Sequence, residues 1–427
     1  MSTVAKSLPT SAVVAPSRVR HAVVAVCMQI LIGVVYSWSV FRGPLAQLHG
    51  WSKTQTVAPY RVSLLMVSVG MIIAGLWQDR KGARIVATVG GLMLGSGAVL
   101  AAWLGDSVSG LVWTYGLLVG LGGGFCYVTP IANLVKWFPD KRGAMVGLAV
   151  MGNGLSPLFW APFIEALIGK DVARFHETIP RAFFTMAAIF LVGVLGLAQL
   201  YRVPPPGWRP VGWIPPPTHR TGRDISTREM LTTWQFYALW VLYFLGISVG
   251  ITAIGQASPL FQEVSRSGTL ISGGVALGIM GVFNGGGRLS WGAVSDRFGR
   301  KFTLIAMSLL SATACIVFLR TATGPWDVLA GLCLAAFAYG GILALMPALT
   351  ADYFGPRYVG GNYGLLFSAW GLCGFVVPGY FEAILDRARE AGNLPGGYQE
   401  VYWKLAVIAL AVAAMTTILR PPQRAPE

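Results

Sequence analysis

GAVSDRFGRK, residues 292–301, ends a long apolar run and has a counterpart, GLWQDRKGAR, at residues 75–84. Both fit G-x-x-x-D-R-x-G, and they start 217 residues apart. A second pair repeats at nearly the same offset. WFPDKRGAMVGLAVMGNGL (137–155) matches YFGPRYVGGNYGLLFSAWGL (353–372), with Gly147 standing where Gly364 stands in the later copy. One period of this length in a 427-residue chain divides it into two related halves.

The residues around these motifs say what the halves are made of. The chain is 55% hydrophobic and only 11% charged, whereas soluble domains carry about 25% charged residues. So few charges cannot cover a soluble surface. A membrane-spanning helix needs about 20 mainly apolar residues. Twelve stretches qualify: 21–41, 61–78, 84–104, 108–134, 143–166, 182–201, 233–256, 268–294, 302–320, 326–350, 358–382 and 400–419. The last contains Lys404 and is the least apolar. An even number of spans separates the repeated motifs, so the two six-helix halves share one orientation. The expectation is an all-α membrane protein of twelve helices in two pseudo-repeats.

Between the halves lies YRVPPPGWRPVGWIPPPTHRTGRDISTRE, residues 201–229, whose prolines and arginines build no core. It reads as a semi-extended linker, ending in a Ser226-x-x-Glu229 capping box. The expected layout is an N-terminal segment 1–20, a first half 21–201, a linker 202–232, a second half 233–420 and a tail 421–427. The first apolar run is too long for a signal core and has no small-residue cleavage site, so it reads as a retained helix. The net charge of +15 is not a nucleic-acid footprint. Its excess falls on the side holding both termini and the linker, which marks that side as cytoplasmic. The expected location is a bacterial plasma membrane, with both termini inside.

Several chemistries drop out. Five cysteines and four histidines are scattered without metal-ligand spacing. There is no nucleophile–base set and no phosphate-binding loop in strand context. Neither an enzyme nor a cofactor or metal site is expected.

Arg288 is the sole charge between Arg266 and Asp296. A mid-helix arginine costs roughly 2.5–3.5 kcal/mol on insertion scales. It lies eight residues before Asp296, about 12 Å along a helix, so a snorkelling side chain is one reading. The other is a cavity: Asn284 lies one turn away on the same face, with Gly281 and Gly274 beyond it. No carboxylate is expected inside any span, so the partner of Arg288 would be the substrate. A guanidinium grips a carboxylate two-pronged. Gly285, Gly286 and Gly287 would leave room beside it. Gly116, Gly120 and Gly124, spaced four apart, form a close-packing face.

Twelve spans, a parallel 6+6 repeat and two G-x-x-x-D-R-x-G loops resemble the major facilitator superfamily over the whole chain. GVVYSWSVF, KWFPDKRG, EMLTTWQFYALW, FNGGGRLSWGAVSDRFGR and GGNYGLLF are similar to the branch holding oxalate/formate antiporters and monocarboxylate transporters. The resemblance implies transport of a small carboxylate by rocking of the halves about a midplane site. It also implies a cavity lined by spans 1, 4, 7 and 10. Tyr36, Tyr127 and Tyr339 then become hydroxyl donors, and Phe367 and Trp370 pocket walls; Asn284, one turn from Arg288, reads as a substrate contact or as a bond to a neighbouring helix. Asn153 reads equally as packing or substrate contact. The chain departs from its relatives in telling places. The antiporters' eleventh-span lysine falls at Trp370, which favours a monoanion. The aspartate that proton-coupled relatives keep four residues before the arginine is Asn284 here, and their first-span lysine is missing. The repeated loops read as gates: Asp79 with Arg80 would meet Arg357, and Asp296 with Arg297 would meet Arg142.

The expected function is secondary transport of lactate- or pyruvate-like monocarboxylates with a co-transported proton. Moving an anion inward against 100 mV costs about 2.3 kcal/mol, roughly 40-fold in concentration, and an accompanying proton removes that cost. Carboxylate exchange is the alternative, and a non-transporting receptor a weaker one. The expected partners are the substrate, the proton and the lipid bilayer, with the protein monomeric.

Overall fold

The computed structural model describes residues 18–138, 142–202, 204, 210, 225–264, 271–321, 324–355 and 358–420. Twelve long helices follow one another: α1 Arg18–His49, α2 Lys53–Lys81, α3 Ala83–Leu104, α4 Val108–Leu134, α5 Arg142–Ile168, α6 Val172–Ala198, α7 Trp234–Val264, α8 Gly273–Phe298, α9 Arg300–Leu319, α10 Pro325–Phe354, α11 Gly361–Glu390 and α12 Leu394–Ile418. Eleven are both long and apolar enough to cross a bilayer. The twelfth, α8, has the length at 26 residues but is diluted by glycines, Asn284 and Arg288. Its polarity is the cost of carrying the site.

The repeated motif explains its own last residue. Gly82 ends α2 with φ +84°, and Gly299 ends α8 with φ +90°. Both are left-handed values that favour glycine, so the chain turns tightly into α3 and α9. At the other end of α2, Ser52 and Gln55 form a reciprocal capping box. The linker's last residues dock on the second half. Ile225 N donates to Phe354 O at 2.8 Å, Asn362 Nδ2 donates to Ile225 O at 3.0 Å, and the expected Ser226–Glu229 capping box starts the short helix Thr227–Met230. The terminal segments 1–17 and 421–427 and most of the linker lie outside the described residues.

Small residues let helices approach. A Cβ at Gly116, Gly120 or Gly124 of α4 would strike Val62, Ser63 and Met66, or Val67 and Met71 of α2. Between the halves, α8 lies on α5 through Gly278 at Leu158, Gly281 at Gly154 and Pro157, and Gly285 at Leu155. Similarly, α11 lies on α2 through Gly371 at Ser68 and Gly374 at Leu64. The inter-half hydrogen bonds among the described residues run from the level of Arg288 and Ser68 to the face opposite the termini. The two halves are therefore zipped on that opposite face.

The helices overrun the expected spans. α1 continues to His49, and α11 continues to Glu390. This overturns the expectation of a carboxylate-free interior, because Arg42 and Glu382 now lie inside the bundle at 3% and 1% exposure. Glu165 of α5 is also engaged, accepting from Ser272 Oγ and from Gly274 N at 3.1 Å.

The packing generates a prediction. Gly124→Leu overfills the α2–α4 contact and should destabilise by about 1–3 kcal/mol. Gly196→Ala, with open space beside it, should be neutral or stabilise by about 0.5–1 kcal/mol. Thermal unfolding in detergent compares the two, and equal melting temperatures would refute the packing argument.

Candidate substrate site

Arg288 is 1% exposed. Its Nη1 donates to Val150 O of α5 at 2.6 Å, and its Nε donates to Asn284 Oδ1 at 3.1 Å. The side chain thus points across the interface between the halves, not along α8 toward the terminal face, and the snorkelling reading falls. Nη2 is buried without a hydrogen-bond partner. The glycines do not act as expected. Gly287 lets α8 press against the Phe337 backbone of α10, and Gly285 meets α5; only Gly286 faces open space. Opposite Arg288, a Cβ at Gly154 of α5 would meet the guanidinium Nε at 3.0 Å. The room for this side chain is therefore made partly by α5.

Three tyrosines within electrostatic reach of the guanidinium come from three helices: Tyr36, Tyr127 and Tyr339. Tyr36 sits where α1 tightens into a 3₁₀ stretch, Gly33–Ser37. Its hydroxyl lies 3.1 Å from that of Tyr339, and Trp370 Nε1 donates to Tyr339 Oη at 2.7 Å. Phe367 stacks on Trp370 at 4.9 Å between ring centroids and packs beside Tyr127 at 5.7 Å. The sequence-predicted residues Arg288, Asn284, Tyr36, Tyr127, Tyr339, Phe367 and Trp370 are thus brought together. Asn153 is placed differently: its Nδ2 donates to Gln29 O at 3.4 Å, and Gln29 Nε2 donates to Tyr127 O at 3.1 Å. This makes Asn153 a brace among α5, α1 and α4.

Sequence reading missed Tyr243 of α7 and Tyr363 of α11, which edge Phe367 at 6.2 and 5.7 Å. Chemically, the site offers a permanent cation whose Nη2 group makes no close hydrogen bond within the protein, tyrosine hydroxyls beside it, and aromatic walls. Such a set suits a small carboxylate with an apolar body.

The opposite face carries a second charged cluster, also missed. Arg42 Nη2 pairs with Glu382 at 2.7 Å, and its Nη1 donates to Gly255 O of α7 at 2.8 Å. Lys53 pairs with Glu263 at 2.6 Å and donates to Tyr398 Oη at 3.0 Å. Asp386 accepts from Lys53 N, Thr54 N and Thr54 Oγ1. First-half cations thereby close against second-half carboxylates.

On the terminal face, Asp296 is exposed and pairs with Arg300 at 2.8 Å, while Arg300 Nε donates to Asp352 at 2.9 Å. The Asp296 contact described here is thus inside the second half. Arg297 is exposed, its guanidinium 5.4 Å from the Phe298 ring. The side chains of Asp79, Arg80 and Arg142, and all of Arg357, lie outside the described residues.

The family model of the Major Facilitator Superfamily matches residues 22–378. The chain belongs to this superfamily. It is 30% identical over 353 residues to the oxalate:formate antiporter of Oxalobacter formigenes, covering 82% of this chain and 79% of that one. It is 26% identical to apicoplast pyruvate carrier 1 of Toxoplasma gondii, over 71% and 64% of the two chains. Among solved structures, a bacterial homologue of the human lysosomal transporter Spinster, in an inward-facing and unoccupied conformation, superposes with a TM-score of 0.69 at 16% identity, covering 95% of this chain and 97% of the other. This likeness concerns the fold. The chain is accordingly a multi-pass membrane transporter of the superfamily.

Removing one member of a buried ion pair strands the other charge at a cost of about 3–5 kcal/mol. Arg42→Met should therefore lower stability by that order, and Arg42→Met/Glu382→Leu should recover most of it. A double-mutant cycle by thermal unfolding measures the coupling, and simple additivity would refute the pair's role.

Proposed function

We propose that this protein moves small monocarboxylates, lactate- or pyruvate-like, across a bacterial plasma membrane by alternating access, together with a proton. The face holding the termini is the cytoplasmic one, as the distribution of Lys and Arg implies. The observation that carries the reading is the buried guanidinium of Arg288, whose Nη2 has no partner and which lies amid the tyrosines. A buried unsatisfied charged donor is costly, and a substrate carboxylate supplies what it lacks. Asn284 fixes Nε, which orients the fork for the anion. Phe367 and Trp370 shield an apolar substrate body, and Trp370 occupies the place where a second cation would favour a dianion.

The alternating-access reading is supported by where the halves are joined. With the opposite, outer face closed by Arg42–Glu382 and Lys53–Glu263, exchange of substrate proceeds toward the cytoplasm. The repeated Asp79-Arg80 and Asp296-Arg297 loops, with Arg357 and Arg142, are the proposed fastening when the outer face opens. Carboxylate exchange is the second reading, supported by the similarity to an oxalate:formate antiporter. The superfamily's transport role argues against an enzyme or a silent receptor.

Losing a charge-assisted hydrogen bond of about 1.5–3 kcal/mol weakens binding roughly 10- to 150-fold. Arg288→Met should abolish lactate counterflow in proteoliposomes. Arg288→Lys, keeping the charge but not the fork, should bind about tenfold or more weakly. Full counterflow by Arg288→Met would sink the site. Uptake that requires internal carboxylate and ignores a pH gradient would select exchange over symport.

A further inference from the structure

We propose that Glu382 of α11 is the site of the co-transported proton. This inference rests on the symport reading above, in which no proton acceptor is assigned. Three observations lead to it. First, Glu382 is 1% exposed, and its Oε2 has no hydrogen-bond partner while the other oxygen pairs with Arg42. A protonated carboxyl would place its O–H at that vacant oxygen. Second, the neighbouring carboxylates are already committed. Asp386 caps the start of α2 through Lys53 N, Thr54 N and Thr54 Oγ1, and Glu263 is held by Lys53, Arg389 and Tyr398. Third, Glu382 is linked to the substrate site. Arg42 donates to Gly255 O, and the Tyr60 ring lies against Gly255 from the other side. Tyr60, whose hydroxyl is buried and unpartnered, is within electrostatic reach of both Arg42 and Tyr36. Tyr36 in turn meets Tyr339 beside Arg288.

The groups facing Glu382 come from every packed helix. They are Arg42 of α1, Lys53 at the head of α2, Tyr398 and Tyr402 of α12 and Asp386 on its own helix. Glu263 of α7 stands behind Lys53, and Arg61 of α2 turns away to donate to Phe375 O.

Charge balance supplies the coupling. Without substrate, the interior holds two guanidinium cations, Arg42 and Arg288, and one carboxylate, Glu382. With a monoanion on Arg288 and a proton on Glu382, it again holds two cations and one carboxylate. Each loaded form therefore crosses with the same buried charge, whereas substrate alone or proton alone changes it. The proton adds to Oε2 when the outer face opens and Arg42 separates from Glu382. It leaves toward the cytoplasm-facing cavity as the Arg42–Glu382 pair re-forms.

The test uses the full chain in proteoliposomes with radiolabelled lactate, the membrane potential clamped at zero. An inward proton gradient of one pH unit should drive about tenfold lactate accumulation by the wild type through one-to-one symport. Glu382→Gln should still catalyse lactate exchange without a gradient but accumulate none. Asp386→Asn should keep the gradient-driven accumulation. If the wild type ignores the gradient, the symport reading itself fails. If the wild type responds and Glu382→Gln accumulates equally, symport stands and Glu382 is not its proton site. Should Glu382→Gln lose exchange as well, the neutral pair Arg42→Gln/Glu382→Gln decides: exchange without accumulation upholds the assignment, while accumulation or complete inactivity overturns it.

Discussion

A guanidinium held out of water between two half-proteins is the constraint on which the molecule turns. Arg288 cannot shed its proton, so its charge must be balanced by geometry alone. The surroundings supply part of the balance: the Val150 carbonyl and Asn284 take two of its donors, and tyrosine oxygens approach it. Those contacts come from both halves. A relative movement of α5 and α8 therefore changes the solvation of the charge, and the charge feels which way the transporter faces.

The close approach of α8 to its neighbours is the mechanical side of the same constraint. Gly287 against the Phe337 backbone and Gly285 against Leu155 bring α10 and α5 within reach of the site. A helix with larger side chains there would hold Tyr339 and Val150 farther from Arg288. The glycines thus serve proximity more than flexibility. They also lower the hydropathy of α8 enough that it alone of the twelve fails the ordinary test of a spanning segment.

Much of this was legible in the sequence. The repeat at 217 residues led to two parallel halves, and the lone arginine with Asn284 four residues before it led to the site. The aromatic wall of Phe367 and Trp370 came from family resemblance, and the structure does bring it to Tyr339. The illegible part has one physical source. Spans read by hydropathy stop at the first charge, so Arg42 and Glu382 fell at predicted ends. Helices stop where hydrogen bonding and capping stop, and both charges are carried inward by α1 and α11. Their mutual neutralisation is invisible along a chain that separates them by hundreds of residues. Asn153 was legible only as packing or substrate contact, because a buried amide satisfies whichever carbonyl is nearest; here that belongs to Gln29.

The residue four before Arg288 bears on where a proton could sit in the proposed symport. An acid on α8 beside the arginine would place the proton acceptor within the substrate site, where anion and acceptor repel directly. Asn284 removes that repulsion and leaves a neutral anchor for Nε. The acceptor role can then lie elsewhere only if another carboxylate is both buried and electrostatically joined to Arg288. Among the described residues, Glu382 is buried and paired with Arg42, and Arg42 in turn lies within electrostatic reach of Tyr60, which reaches Tyr36 beside Arg288. On the proposed symport, its position on the seam opposite the termini would tie proton binding to the opening of that seam, because a neutral carboxyl grips Arg42 more weakly than a carboxylate does. One side chain would then, on that proposal, both take up the proton and loosen the contact that keeps this face shut.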